Sequence, residues 1–119
     1  MGRVDVDKYL AKSFDLAHYN CWHLLREVWL ELTGVDLGDR TPERITTNSL
    51  MRRFDTDVPT FQELAAPEDP SMVLMLRRGV IPHVGVYLRG RVLQMTSTGA
   101  SYMLPEQACL GFDRVRYFR

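Results

Sequence analysis

The stretch SMVLMLRRGVIPHVGVYLRGRVLQMTS, Ser71 to Ser97, decides the fold. It divides into three short runs rich in Val, Leu and Met: Ser71 to Arg78, Pro82 to Arg89 and Arg91 to Ser97. Gly79 follows the first run and Gly90 separates the second from the third. Runs of this length and composition, punctuated by glycine, read as strands. In the second run, His83, Gly85 and Tyr87 share one face while Val84, Val86 and Leu88 share the other, by the period of two. The single Gly90 predicts a tight hairpin centred on Arg89 to Arg91. Farther on, Pro105 to Cys109 reads as a short turn or helix and Asp113 to Arg119 as a closing strand. Val115 and Tyr117 then share one face of that strand, with Arg114, Arg116 and Phe118 on the other.

Upstream the period changes. Cys21 to Thr33, CWHLLREVWLELT, holds no Gly or Pro. It carries apolar residues at Cys21, Leu24, Leu25, Val28, Trp29 and Leu32 and stops at Gly34, the pattern of a helix with a C-terminal glycine. Asn20 stands where its side chain would cap the first-turn amides. Asp5 to Ser13 reads as a short helix or turn anchored by Tyr9 and Leu10. Between Val35 and Asp69 short helices and loops are expected. Thr41-Pro42-Glu43 reads as a cap with Pro at the first helical position, Ser49 to Phe54 as a short amphipathic piece, and Thr60-Phe61-Gln62-Glu63 has capping-box spacing. Pro67 to Pro70 reads as a turn. Helices come first and an antiparallel meander follows, so the class is α+β.

With 119 residues, 45% hydrophobic and 10% aromatic, the chain is expected to form a single domain over residues 1–119, able to bury a core without disulfides or a structural metal. Its 15 basic and 15 acidic residues balance, which argues against nucleic-acid binding driven by counterion release. The longest unbroken apolar run, Met72 to Leu76, is far below the roughly 20 residues of a membrane span. The acids of MGRVDVDKYL stand where a secretory signal would be apolar, so the expectation is a protein that is cytoplasmic at synthesis. Two cysteines 88 positions apart read as free thiols, with no metal and no cofactor expected. Neutrality hides a division. Through Asp69 there are 8 basic and 13 acidic residues, and from Pro70 onward 7 and 2, so an acidic helical part precedes a basic sheet.

Cys21 is the residue with a chemical setting. A thiol in the first turn of a helix faces the positive end of the dipole and unpaired amides, so its pKa is expected below the free value of about 8.5. That suits a nucleophile, while a small buried core residue is the plain alternative. Cys109, within ACLGF, reads as core. A thiolate nucleophile needs an imidazole and a polar group to orient it. His23 is about 200° round the helix from Cys21 and points away, toward solvent. His18 lies in a loop, whereas His83 opens a central strand, 62 positions after Cys21, and is the preferred base. Gln94, 11 residues beyond His83 and flanked by Leu93 and Met95, either pairs with that imidazole or faces water from an edge strand. Tyr19 offers a hydroxyl to the site or packs.

Tyr19-Asn20-Cys21-Trp22-His23-Leu24-Leu25 resembles the nucleophile segment of the NlpC-type cell-wall cysteine peptidases, a papain-like family. It is closest in kind to the version found in bacteriophage tail-assembly proteins, where Cys-Trp leads into an apolar helix. Pro82-His83-Val84-Gly85-Val86-Tyr87-Leu88, followed by Gly90-Arg91-Val92-Leu93-Gln94, is similar to that family's base-bearing strand and the next strand, which carries its third polar residue. The resemblance covers roughly Tyr9 to Met103. It implies a papain-like NlpC-type fold, N-terminal helices on a C-terminal antiparallel sheet, with Cys21 as nucleophile, His83 as base and Gln94 as orienting residue. Tyr19, Asn20 and Trp22 become the candidate substrate contacts. The implied activity is hydrolysis of an amide in peptidoglycan peptide, in the family's usual case the D-glutamyl to diaminopimelate bond, with phage tail proteins as partners and the virion as a location. Two departures stand out. Asn20 replaces the usual Asp, and Trp22-His23 replaces Ser-Gly. The third position, most often His, is Gln94, whose amide can still fix an imidazole tautomer. The alternative is a structural component that keeps the peptidase fold without turnover.

Overall fold

The computed structural model of the protein describes residues 4–15, 18–37, 62–79 and 82–119. A five-residue helix, α1 (Val6–Leu10), is capped by Asp5, whose Oδ1 accepts from the Asp7 amide. Helix α2 (Cys21–Thr33) follows, and ends at Gly34 in the left-handed region, φ 76°, its amide bonded to the Leu30 carbonyl. Leu24, Leu25 and Val28 have no exposed surface, and each burial contributes about 1.5–3 kcal/mol against the entropy of ordering the chain.

Six strands form one antiparallel sheet: β1 (Glu63–Leu64), β2 (Ser71–Leu76), β3 (His83–Leu88), β4 (Arg91–Thr96), β5 (Gly99–Met103) and β6 (Arg114–Phe118), in the order β1-β6-β2-β3-β4-β5. A one-turn helix, α3 (Pro105–Ala108), joins β5 to β6. The protein is therefore a mixed α+β structure dominated by an antiparallel sheet. Among the described residues no helix is long and apolar enough to cross a membrane.

Both sheet faces are covered, and the period of two sorts the residues between them. Met72, Leu74, Val84, Val86, Leu88, Leu93, Met95 and Phe118 pack with Leu24, Leu25, Val28 and Trp29 of α2. Val73, Met75 and Val92 look the other way, toward Ala108, Cys109, Phe112, Val115 and Tyr117. This explains the unbroken apolar run of β2, which is central and buried on both faces. The β3–β4 turn is the expected hairpin. Arg89 (φ 51°) and Gly90 (φ 82°) both lie in the left-handed region, as a two-residue type I′ turn requires. The Arg89 guanidinium donates to the Val4 carbonyl at 3.0 Å, which offsets part of the strain of a non-glycine there.

Four sequence expectations need correction. Gln62-Glu63 is not the start of a helix: Gln62 exchanges backbone bonds with Arg119, and Glu63 pairs with Phe118 as β1. Leu10 is 38% exposed, so α1 is anchored by Tyr9, at 1%, with Val6 packed beside it. His23 is half-buried and serves the helix cap instead of facing solvent. Strand β5 was not anticipated, because Gly99-Ala100-Ser101 has weak strand propensity; its pairing with β4 holds it extended. The expected pieces at Thr41-Pro42-Glu43 and Ser49 to Phe54 lie outside the described residues.

Candidate active site

Chain geometry fixes Cys21 before any tertiary contact does. Asn20 Oδ1 accepts from the amides of Trp22 (3.0 Å) and His23 (3.3 Å), and the Asn20 amide donates back to His23 Nδ1 at 3.0 Å. This is a capping box in which His takes the place usually held by Glu or Gln. Cys21 is thereby the first helical residue, 8% exposed.

Three backbone amides, those of Val84, Trp22 and Cys21 itself, are close enough to the Cys21 sulfur to favour its thiolate. Val84 is the informative one. The β3–β4 pairing runs from Leu88 opposite Arg91 to Gly85 opposite Gln94, so Val84 lies one residue past the last pair on β3. Its side chain belongs to the α2 face. Where the ladder stops, the thiol comes up to the β3 backbone beside His83.

His83 opens β3 on the opposite face. Its Nε2 is 2.7 Å from Gln94 Oε1, and its ring stacks on Phe112 with centroids 6.1 Å apart and planes within 11°. Gln94, 5% exposed, is buried and bonded to the imidazole, which settles the alternative of a water-facing residue on an edge strand; β4 is interior, flanked by β5. With the carbonyl oxygen of the amide as acceptor, the proton of the neutral ring sits on Nε2 and the lone pair on Nδ1. Gly85 makes the contact possible. A Cβ at Gly85 would lie 2.9 Å from the Leu93 carbonyl oxygen and 3.4 Å from Gln94 Cβ, so the missing side chain lets Gln94 lean across it to His83.

Burial sets the electrostatics and reverses one expectation. Loss of water around Cys21 raises the thiol above its ordinary range, and the three amides that favour thiolate only partly offset this. Burial likewise depresses the His83 imidazole, against a smaller opposing effect of its bond to Gln94. The uncharged form of each group is favoured at rest.

The flanking candidates are placed as follows. Asn20 is 4% exposed and occupied by the cap, and Trp22, 2% exposed, lies in the core against the sheet. The Tyr19 hydroxyl donates to Glu27 at 2.6 Å, and burial together with that carboxylate keeps it firmly protonated. Its ring stacks on His23 at 6.3 Å, with the Lys12 ammonium 5.1 Å from the ring centre. His18, on the exposed surface, bonds to Asp15. Cys109 is half-buried with the second cluster and also has its pKa raised by burial. Among the described residues no group of three His, Cys, Asp or Glu side chains is arranged to hold a metal.

Three contributors escaped the sequence reading: the Val84 amide, the Phe112 ring and the space at Gly85. Only the last had a sequence signal, a glycine inside a run of alternating Val and Tyr. Comparison of the chain with protein-family models, with curated proteins and with solved structures gives no match.

Proposed function

We propose that the protein is a thiol hydrolase of the papain-like NlpC type that cleaves an amide bond in bacterial cell-wall peptide. One observation carries this reading: the Val84 amide is close enough to the Cys21 sulfur to favour its thiolate, while the adjacent His83 is bonded to Gln94. A thiol at a helix start, an imidazole with its lone pair on Nδ1, and an amide on the far ring nitrogen are the parts of a Cys-His-amide arrangement. A helix bearing the thiol, packed on an antiparallel sheet bearing the other two, supports the same reading.

In the reaction the His83 ring, which rests on the face of β3 away from the thiol, must bring Nδ1 round the end of the strand to take the proton as Cys21 Sγ attacks the scissile carbonyl carbon. The carbonyl electron pair moves to oxygen, held in part by the Cys21 amide. Collapse expels the amine, which takes the proton from His83 and leaves a thioester on Cys21. Water then attacks the thioester and gives a proton to His83. The carboxylic acid departs, and the proton returns to sulfur. Starting from uncharged groups, the enzyme forms its thiolate at the moment of attack. The resemblance suggests the D-glutamyl to diaminopimelate bond as target and a phage tail as the setting. Arg77, Arg78 and Arg91 are the basic side chains offered to an acidic peptide, while Arg89 is engaged with Val4.

The raised thiol favours a second reading, a tail or assembly component that binds cell-wall peptide or a partner without cutting. Mass spectrometry of muropeptide digests separates the two. New fragments with wild type and none with Cys21→Ala support the hydrolase; equal product from both overturns it.

A further inference from the structure

The Cys21 sulfur lies by the Val84 amide, yet the His83 ring, one residue away, points to the other face of β3. Met75, directly opposite His83 in the β2–β3 ladder, packs in the second cluster, and residues paired this way share a face. Val84 packs with Cys21 and α2 in the first. Two contacts hold the imidazole on its face: the bond to Gln94 and the Phe112 ring, stacked on it with planes within 11°. Phe112 stands outside every strand and helix, at the end of a surface turn. Its amide donates to the Cys109 carbonyl at 3.1 Å, Gly111 before it has φ 88°, and Leu110 is 81% exposed. The turn is moored at the next residue, where the Asp113 amide donates to the Leu76 carbonyl and the Asp113 carboxylate accepts from the Arg78 amide. A side chain so placed moves without breaking the sheet ladder.

His83 is the first residue of β3, so a turn about χ1 between staggered wells can carry its ring past the end of the strand. Gln94 has three side-chain torsions with which to follow, whereas the Phe112 ring, flat against the imidazole, must be left behind. We propose that Phe112 is a latch on the base: at rest its ring holds the His83 imidazole on the face of β3 away from Cys21, and the imidazole reaches the thiol only when that stack is broken. This rests on reading His83 as the base for Cys21. Phe112 is thus a positioning residue, and a peptide that takes the place of its ring arms the site, so that thiolate forms with substrate already present.

The test uses the full chain and reads Cys21 alkylation by iodoacetamide at pH 7, with peptide mapping to separate Cys109. Once the imidazole reaches the sulfur, the S–H proton passes to Nδ1 and the thiolate displaces iodide from the reagent. Phe112→Ala is expected to raise the Cys21 rate about two- to tenfold, the population shift that follows loss of one stacked pair. Nitrogen-15 NMR should show the His83 ring signals moved in the same variant. Phe112→Leu, which keeps apolar bulk without a ring, is expected to give a rise of the same sign. Phe112→Ala combined with His83→Gln is expected to return to the wild-type rate, and Val115→Ala, which loosens the same cluster from β6, to stay at it. A wild-type rate in folded Phe112→Ala or Phe112→Leu overturns the proposal, and so does a rise that persists without His83. Muropeptide digestion keeps the two readings apart. Wild-type turnover with no alkylation gain in the Phe112 variants overturns the latch and leaves the hydrolase; a His83-dependent gain without turnover supports the latch and overturns the hydrolase.

Discussion

His83 Nε2 lies 2.7 Å from Gln94 Oε1, although the residue paired with Gln94 in the ladder is Gly85. The contact is diagonal, and it depends on a glycine giving up its side-chain volume and on an interior strand burying the amide. Replacing Gln94 with Ala strands the buried imidazole without its partner. Urea unfolding is expected to show a loss of about 1–3 kcal/mol, and an unchanged midpoint would contradict the account of that bond.

Gly85→Ala tests the same diagonal from the other side. The new methyl would meet the Leu93 carbonyl at 2.9 Å, a backbone atom that cannot swing away. Overpacking of this kind costs about 1–3 kcal/mol, and the displaced β4 should loosen the His83–Gln94 contact as well. A variant as stable as wild type, with its His83 ring signals unmoved, would show that the space is not needed.

The helix cap gives a prediction independent of any activity. Asn20→Ala removes the acceptor for two first-turn amides and should cost about 0.5–2 kcal/mol. His23→Ala removes only the reciprocal bond and should cost less, while His23→Gln, which keeps an acceptor, should recover most of the loss. Thermal unfolding of the three variants checks the ranking.

Burial of Cys21 sets its reactivity. Alkylation by iodoacetamide, followed by peptide mapping to separate Cys21 from Cys109, should rise with pH to a half-maximum above the free-thiol value of about 8.5. A half-maximum well below it would mean that the three amides and the helix dipole outweigh desolvation in solution.

His83 gives stability a pH dependence of defined sign. Its folded pKa is depressed below the ordinary value near 6.5, so between the two the unfolded chain binds a proton that the folded chain refuses. Stability should therefore fall as pH is lowered from about 6.5 toward the folded value and level off beneath it. Urea midpoints for wild type and His83→Gln between pH 7.5 and 5 check this. The slope in that window should flatten in the variant, since carboxylates such as Glu31 and Glu63, with lowered pKa values, act at more acid pH.

The local signals in the chain were legible because they are local. Asn20 before an apolar helix, Gly34 after it, the tight hairpin at Gly90 and the alternation in β3 and β6 all act within a few residues, and all four stand in the structure, the turn residues being Arg89 and Gly90. The closeness of His83 and Gln94 follows from the hairpin, so it was also readable. What was not readable depends on tertiary placement. Glu63 is a strand because Phe118 offers it a partner, and β5 is a strand because β4 does. The direction of the Cys21 shift turns on how much water the sheet removes from the thiol, a quantity that no spacing encodes.

The short turn at Arg89-Gly90 also sets an order of events in time. A hairpin with a two-residue connection closes in about 1–10 μs, so His83 and Gln94 can meet as soon as β3 and β4 zip together. Cys21 is 62 residues away in sequence and joins only after a long loop has been closed, at the entropic cost that slows non-local contacts. During refolding, β3 and β4 amides should become protected from exchange while Cys21 remains open to alkylation. The imidazole and its amide would thus wait, already paired, for the sulfur to arrive, and on the proposed hydrolase reading a nascent chain would carry no reactive pair until its fold was complete.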